Sequence, residues 1–260
     1  MLGKKQKIAN SDWVEAIAHI RDTVPLAVLN KKTEDTIRDI RKTCKGRKCA
    51  YAWSGGKDSL VLGKICEQAG ISDCVLVVSE LEYPAFLEWV QGNKPSGLEI
   101  VNTGQDLKWL QNHQDMLFPQ DSQTAAKWFH IVQHRGQAKY YKDHQLDMLL
   151  LGRRRADGNY VGPGTNKYTN KQGITRYSPL ADWTHEEILA YISFFSLSNP
   201  PFYRWRDGYL CGTHPWPARQ WTGSIENGWK EIYEIDPSIV EEAALYIESA
   251  RKSLNNISTK

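Results

Sequence analysis

The sequence lacks any apolar run approaching the roughly 20 residues that a bilayer-spanning helix needs. It also lacks an excess of either charge: 33 Lys plus Arg against 30 Asp plus Glu leave a net charge of +3 in 260 residues. That balance excludes a strongly basic nucleic-acid arm and an acidic solvating tail. Nucleic acid as a partner gains no support from it, though a local basic patch stays open. Cysteine is sparse and scattered. Cys44, Cys49, Cys66, Cys74 and Cys211 form no pair at metal-ligand spacing, and their odd number argues against a disulfide framework. Met1 to Lys7 is basic but is followed by no apolar segment of signal-peptide type. A soluble cytoplasmic protein, without a membrane partner, is the expectation. Internal repeats and low-complexity segments are absent. A homodimer is left open.

Hydrophobic residues at 41% supply a sizeable core without metal or disulfide staples. Ten Trp and 12 Tyr against 6 Phe are unusual. Such rings join an apolar face to a polar handle and suit either a flat ligand surface or a core. Trp205, Trp216 and Trp221 fall in a Pro-rich stretch, residues 199–217 and just beyond, that reads as an ordered but irregular loop.

The pattern alternates strands with helices. Ser11 is a candidate cap for a first helix carrying Trp13, Ala16, Ile17 and Ile20, ended by Pro25, and a second helix runs past Ile40. Continuous apolar runs at Cys49–Trp53, Cys74–Val78, Leu98–Val101 and Asp147–Leu151 read as buried strands. Residues 105–147 read as helical or irregular, and 156–173 as a loop. Thr184, with Glu187 three residues on, predicts a capped helix start, and 237–254 a final amphipathic helix. Buried strands alternating with helices predict an α/β fold in which helices cover both faces of a parallel sheet. Helical extensions are expected at 1–45 and 223–260, flanking a domain at 46–222. In such folds the ligand lies beyond the carboxyl ends of the strands.

The sharpest motif is Ser54-Gly55-Gly56-Lys57-Asp58-Ser59, between the first strand and its helix. Two adjacent glycines let successive backbone N–H groups converge into an anion nest, and the helix N-terminus adds a positive dipole end. Ser54 and Ser59 contribute hydroxyls and Lys57 a full charge. Neither the Walker spacing nor the dinucleotide fingerprint is present.

This hexapeptide resembles the phosphate loop of the PP-loop adenine-nucleotide α-hydrolases, the ATP pyrophosphatases. Further segments resemble the 3′-phosphoadenosine 5′-phosphosulfate (PAPS) reductase branch of that superfamily: Gly152-Arg153-Arg154-Arg155-Ala156-Asp157-Gly158, Tyr177-Ser-Pro-Leu-Ala-Asp-Trp-Thr184, Pro201-Phe-Tyr203 and Gly208-Tyr-Leu210 with Thr213-His214. The likeness spans about residues 45–222. It implies a three-layer, Rossmann-like domain that binds ATP or PAPS with Mg²⁺. Ser54 to Ser59, Gly152 and Arg154 would hold phosphate, with Lys57, Asp58, Arg154 and His214 as catalytic candidates. Arg153, Arg155, Asp157 and Arg219 are further candidates for substrate contact. Asp58 is either a Mg²⁺ ligand or a first-turn helix carboxylate.

The departures matter as much. Reductases of this branch carry a nucleophilic cysteine near the C-terminus, whereas the last 49 residues here contain none. Cys211 is the remaining candidate nucleophile, with a small inert thiol as the plainer reading. No iron–sulfur cluster is expected, because the four-cysteine pattern is missing. The branch's Asp-Thr-Gly after the second strand is replaced by Ser79-Glu80-Leu81-Glu82, and the Arg expected beyond Asp157 is absent. The intact phosphate loop favours a substrate with a β,γ-diphosphate to hold, namely ATP. Three readings stay open: an enzyme that adenylates an unknown acceptor, in sulfur transfer or nucleic-acid modification; a true PAPS or adenylyl-sulfate reductase; and a silent nucleotide-binding regulator.

Overall fold

The computed structural model describes residues 2 and 8–258. Along the chain, α1 (Asn10–Ala18) and the single turn α2 (Ile20–Thr23) lead to α3 (Leu26–Cys44), β1 (Cys49–Ala52), α4 (Lys57–Ala69), β2 (Cys74–Val78), α5 (Pro84–Asn93) and β3 (Leu98–Asn102). There follow α6 (Leu107–Gln111), α7 (Ser122–Phe129), α8 (Arg135–Asp143), β4 (Met148–Leu150), β5 (Lys167–Thr169) and β6 (Thr175–Tyr177). The chain closes with α9 (His185–Phe194), α10 (Gly208–Cys211), α11 (Ile225–Ile235), α12 (Pro237–Ala244) and α13 (Glu248–Ser258).

The six strands form one sheet in the order β3-β2-β1-β4-β6-β5. β2, β1, β4 and β6 run parallel, and β5 returns antiparallel at the edge. The apolar runs fold as strands because both faces are covered: every residue of β2 and β4 is buried. Helix α3 turns a stripe of Leu29, Thr33, Thr36 and Ile40 inward and packs against α4 and α9. The order reverses between β1 and β4. The crevice beyond their carboxyl ends is therefore the topological switch point, where open α/β sheets hold ligands.

Two compact units divide the chain. The first comprises Met1–Leu76, Trp89–Ile100 and Gln137–Gly212; the second comprises Val77–Glu88, Val101–Gly136 and Thr213–Lys260. The core of the second is aromatic: Trp229 meets Phe118 edge-on at 5.0 Å and Trp216 at 5.6 Å. Gly228 is what lets the Phe118 ring lie against α11, since a Cβ there would fall 2.2 Å from it. Trp216 is thus a core residue of its unit, and Trp205 packs edge-on against Phe202.

Several elements differ from the sequence expectation. Within the expected 156–173 loop, β5 forms, and it pairs with β6 as a hairpin. Each strand is three residues long and largely polar, so no alternation marks them; Asn170 closes the turn by accepting the amides of Gln172 and Ile174 at 3.0 Å. The final helix is two helices. Its apolar period continues through a break at 245–247, where Arg251 reaches back to the Ala244 carbonyl at 3.1 Å. The first helix starts at Asn10 after Ala9, not with Ser11 as cap, and Asp12 takes the Ala9 amide at 2.9 Å. The capping box at Thr184 is present: Thr184 Oγ1 accepts from the Glu187 amide at 3.2 Å, and Glu187 accepts from the Thr184 amide at 2.7 Å.

In the second unit, the segment after β2 places Glu82 in a buried position, where its carboxylate accepts the Ser79 amide at 3.1 Å and the Ser79 hydroxyl at 3.3 Å. Burial outweighs those two hydrogen bonds and pushes the Glu82 carboxyl up to about 7. The folded protein then holds a proton that the unfolded chain has released. Stability from this group is full below the ordinary carboxylate value and falls as pH rises toward about 7. The expected loss is on the order of 3 kcal/mol. Urea denaturation between pH 4.5 and 7.5 should show Glu82→Gln flattening that decline; an unchanged slope would refute the assignment.

Candidate active site

The phosphate loop leaves β1 and enters α4. Gly55 sits at φ +71° and Gly56 caps the helix from an extended conformation. Only a residue without Cβ takes the first of these freely. Ser59 ties the loop together: its hydroxyl accepts the Ser54 amide at 3.1 Å and donates to the Gly56 carbonyl at 2.9 Å. The Lys57 amide donates to the Tyr203 hydroxyl at 2.8 Å. A phenol oxygen thus sits on an amide of the kind that receives a phosphate oxygen at a helix N-terminus.

Lys57, only 3% exposed, sends its ammonium to Asp58 Oδ2 at 2.7 Å and to Asp157 Oδ1 at 3.8 Å. Arg154, fully buried at 0% exposure, is the hub. It donates through Nε to Asp58 Oδ1 at 2.7 Å and through Nη1 to the Trp183 carbonyl at 3.0 Å, and its Nη2 lies 2.9 Å from Asp157 Oδ2. The same Nη2 faces His185 Nδ1 at 3.1 Å, and because a guanidinium only donates, Nδ1 is the accepting nitrogen. Burial first, then the charges of Arg154 and Lys57, pushes the His185 imidazole down to about 4, so the ring is neutral at pH 7. Its contribution to stability has the opposite sign to that of Glu82: it is complete above the ordinary histidine value and lost as pH falls toward about 4.

Two cations and two carboxylates therefore meet where β1 and β4 end. Gly152 permits the approach: a Cβ on it would lie 3.3 Å from the backbone of Asp58. Aromatic rings wall the cluster. Trp13, delivered by α1, lies edge-on to His185 at 4.8 Å and beneath the Lys57 ammonium at 5.6 Å, and stacks on Tyr209 at 5.3 Å. Tyr209 in turn stacks on Tyr203 at 4.6 Å.

The structure thus brings together Ser54 to Ser59, Gly152, Arg154 and Asp157. Arg153 and Arg155 flank Arg154 but point elsewhere: Arg153 donates to the Tyr168 hydroxyl at 3.1 Å, while exposed Arg155 holds Asn166 at 2.7 Å and pairs with Asp182. Cys211 lies half-buried at the end of α10, in the first unit. His214 and Arg219 belong to the second unit. There His214 contacts its neighbour's Pro215 carbonyl at 2.9 Å, and buried Arg219 donates to Glu231 at 2.7 Å. Trp13, His185, Tyr203 and Tyr209 were not singled out from sequence. Tyr203 and Tyr209 lay inside segments of the resemblance, and His185 directly follows one. Trp13 gave no signal beyond its helical spacing.

A family model for the phosphoadenosine phosphosulfate reductase domain matches residues 48–209, more than half of the chain. The chain belongs to this family. Its matched segment holds both halves of the charge cluster, from the phosphate loop to Arg154, Asp157 and His185. Among solved structures, a PAPS reductase from Candida auris in a phosphate complex is similar at TM-score 0.50 and 15% identity, covering 68% of this chain and 90% of that one. The NMN synthetase of Francisella tularensis matches at TM-score 0.45 and 14% identity, over 65% and 71%. The NH3-dependent NAD synthetase of Campylobacter jejuni, in complex with nitrate, matches at TM-score 0.45 and 11% identity, over 86% and 96%. No curated protein resembles the chain closely enough to count as a relative. The family membership and the mostly parallel sheet make this an α/β domain of the phosphoadenosine phosphosulfate reductase family, which supports a nucleotide-binding enzyme. Among the described residues no helix is long and apolar enough to cross a membrane.

Proposed function

We propose that the chain binds ATP on residues 54–59 and cleaves its α–β bond, transferring the adenylyl group to an acceptor. The supporting observation is the intact phosphate loop at the switch point, with Lys57 and Arg154 buried beside it. In the step proposed, an acceptor nucleophile attacks the α-phosphorus, the bond from that phosphorus to the bridging oxygen breaks, and pyrophosphate leaves as the acceptor loses its proton. The loop amides, the α4 N-terminus and Lys57 would stabilise the charge growing on the leaving diphosphate.

The carboxylates of Asp58 and Asp157 bear on the metal. Both Asp58 oxygens already take cations, Lys57 and Arg154. Among the described residues no group of three His, Cys, Asp or Glu is placed to hold a metal. As long as Lys57 and Arg154 hold its two oxygens, Asp58 does not present a preformed Mg²⁺ anchor. Mg²⁺ would instead arrive with the nucleotide, its charge offsetting the repulsion between phosphates and these two carboxylates.

The intact Ser54–Ser59 loop, suited to a leaving β,γ-diphosphate that PAPS does not carry, supports adenylation over sulfonate reduction. Reduction remains the second reading because Cys211 is half-buried rather than sealed in the core. Labelled ATP with Mg²⁺ and a mixture of small nucleophiles separates them. Adenylation gives pyrophosphate and an AMP-linked product; ADP with orthophosphate would contradict it. Sulfite release from PAPS with a thiol donor, lost in Cys211→Ser, would instead establish the reductase.

A further inference from the structure

At the opposite, amino-terminal end of the sheet, a cavity of about 300 Å³ opens where β1 and β2 begin. Arg41, Cys44, Lys45, Arg47, Cys49 and Asp73 line it with residues 69–72. All belong to the first unit, and neither the phosphate loop nor the cluster around Arg154 uses any of them. The two thiols line the same cavity because the chain reverses tightly between α3 and β1. Gly46 takes φ +71°, and the Arg47 amide closes the turn on the Cys44 carbonyl at 3.0 Å. Both flank one residue of the neighbouring strand: Cys49 is in register with Met148, and Cys44 Sγ lies 3.9 Å from Met148 Sδ.

We propose that this cavity is a thiol–disulfide exchange site for a small anionic disulfide of the glutathione type, with Cys49 as the attacking thiol and Cys44 as the resolving one. The roles follow from the surroundings. Across the shared cavity the Cys44 side chain favours the Cys49 thiolate, and the Arg47 charge adds to this; burial and Asp147 oppose it, and the net direction is downward. Cys44 moves upward, because of the same neighbour and its own burial. A thiolate of lowered pKa beside a resolving thiol is the arrangement exchange requires. Arg41, Lys45 and Arg47 outnumber Asp73 on the lining, so the entering disulfide is selected for negative charge. The volume is at the low end for ligand cavities, enough for one half of such a molecule. Cys66 and Cys74 do not compete: both are buried, and Cys74 is pushed up to about 11.

The step balances without a metal or a further reductant. The Cys49 thiolate attacks one sulfur of the disulfide, the external S–S bond breaks, and the first thiolate leaves and is protonated. Cys44 then loses its proton and attacks Cys49 Sγ, expelling the second thiolate. The protein dithiol is oxidised by two electrons, and one disulfide becomes two thiols.

The test treats the reduced chain with oxidised glutathione, followed by alkylation and peptide mapping. A Cys44–Cys49 disulfide with two glutathiones released per chain is expected, and Cys44→Ser should retain a glutathionyl group on Cys49. Relative to free cysteine, the wild-type chain should react about tenfold faster with oxidised glutathione than with uncharged hydroxyethyl disulfide. Arg41→Gln with Arg47→Gln should abolish that preference. Equal rates with the two disulfides, or modification confined to Cys211, would overturn the proposal. The wild-type measurements decide it even where a variant folds poorly, and none of them depends on ATP turnover.

Discussion

Lys57→Gln lowers pyrophosphate release from ATP by about 10²–10³-fold, the range seen when one preorganised donor to a developing negative charge is removed. The lysine is held in place before any nucleotide arrives. Its ammonium is buried between Asp58 at 2.7 Å and Asp157 at 3.8 Å, over the face of Trp13. In the proposed reaction it exchanges carboxylate partners for phosphate oxygens without entering water. Glutamine keeps a donor and most of the length but not the charge. Calorimetry should show weakened ATP binding in the variant, and AMP, which has no β,γ-diphosphate, should bind the two proteins alike. If ATP affinity and turnover survive the substitution, the loop does not hold the diphosphate.

Arg154→Met destabilises the protein by about 3–5 kcal/mol, the usual effect of stranding a buried charge partner. Arg154 serves Asp58, Asp157, the Trp183 carbonyl and His185 at once. Its loss leaves Asp157 with the more distant Lys57 at 3.8 Å and the neutral His185 ring at 3.9 Å. It also removes the donor that fixes the His185 tautomer. Arg154→Lys should recover little of this, since an ammonium cannot span those partners as a planar fork does. Urea denaturation midpoints for the three proteins measure the effect. A shift below about 1 kcal/mol, the scale of an exposed ion pair, would mean that Arg154 is not the hub.

Much of this site is legible in the sequence because phosphate chemistry imposes local patterns. Gly55 and Gly56 are needed by the turn itself, and Lys57 to Ser59 follow within the same few residues, so the loop is complete in one segment. Arg154 and Asp157 are legible only by resemblance, because their role depends on β4 lying beside β1, a pairing across about a hundred residues. Trp13 is less accessible still. A tryptophan on an amphipathic helix looks like any core residue, and only the folded chain shows it against Lys57 and His185. His185 is disguised in the same way, as the first residue of a helix whose cap, Thr184, draws the eye. The fold follows the same division. Buried strands with continuous apolar runs are read directly, whereas the three-residue β5 and β6 carry no pattern and depend on pairing with each other and with β4.

The most direct measurement is a crystal structure of the chain with Mg²⁺ and an ATP analogue that resists α–β cleavage. The β,γ-diphosphate is expected on the amides of residues 55–59, with Tyr203 displaced from the Lys57 amide and the Lys57 ammonium turned from Asp58 to the phosphates. An analogue bound elsewhere, with the Tyr203 hydroxyl still on the Lys57 amide at saturating nucleotide, would contradict this placement.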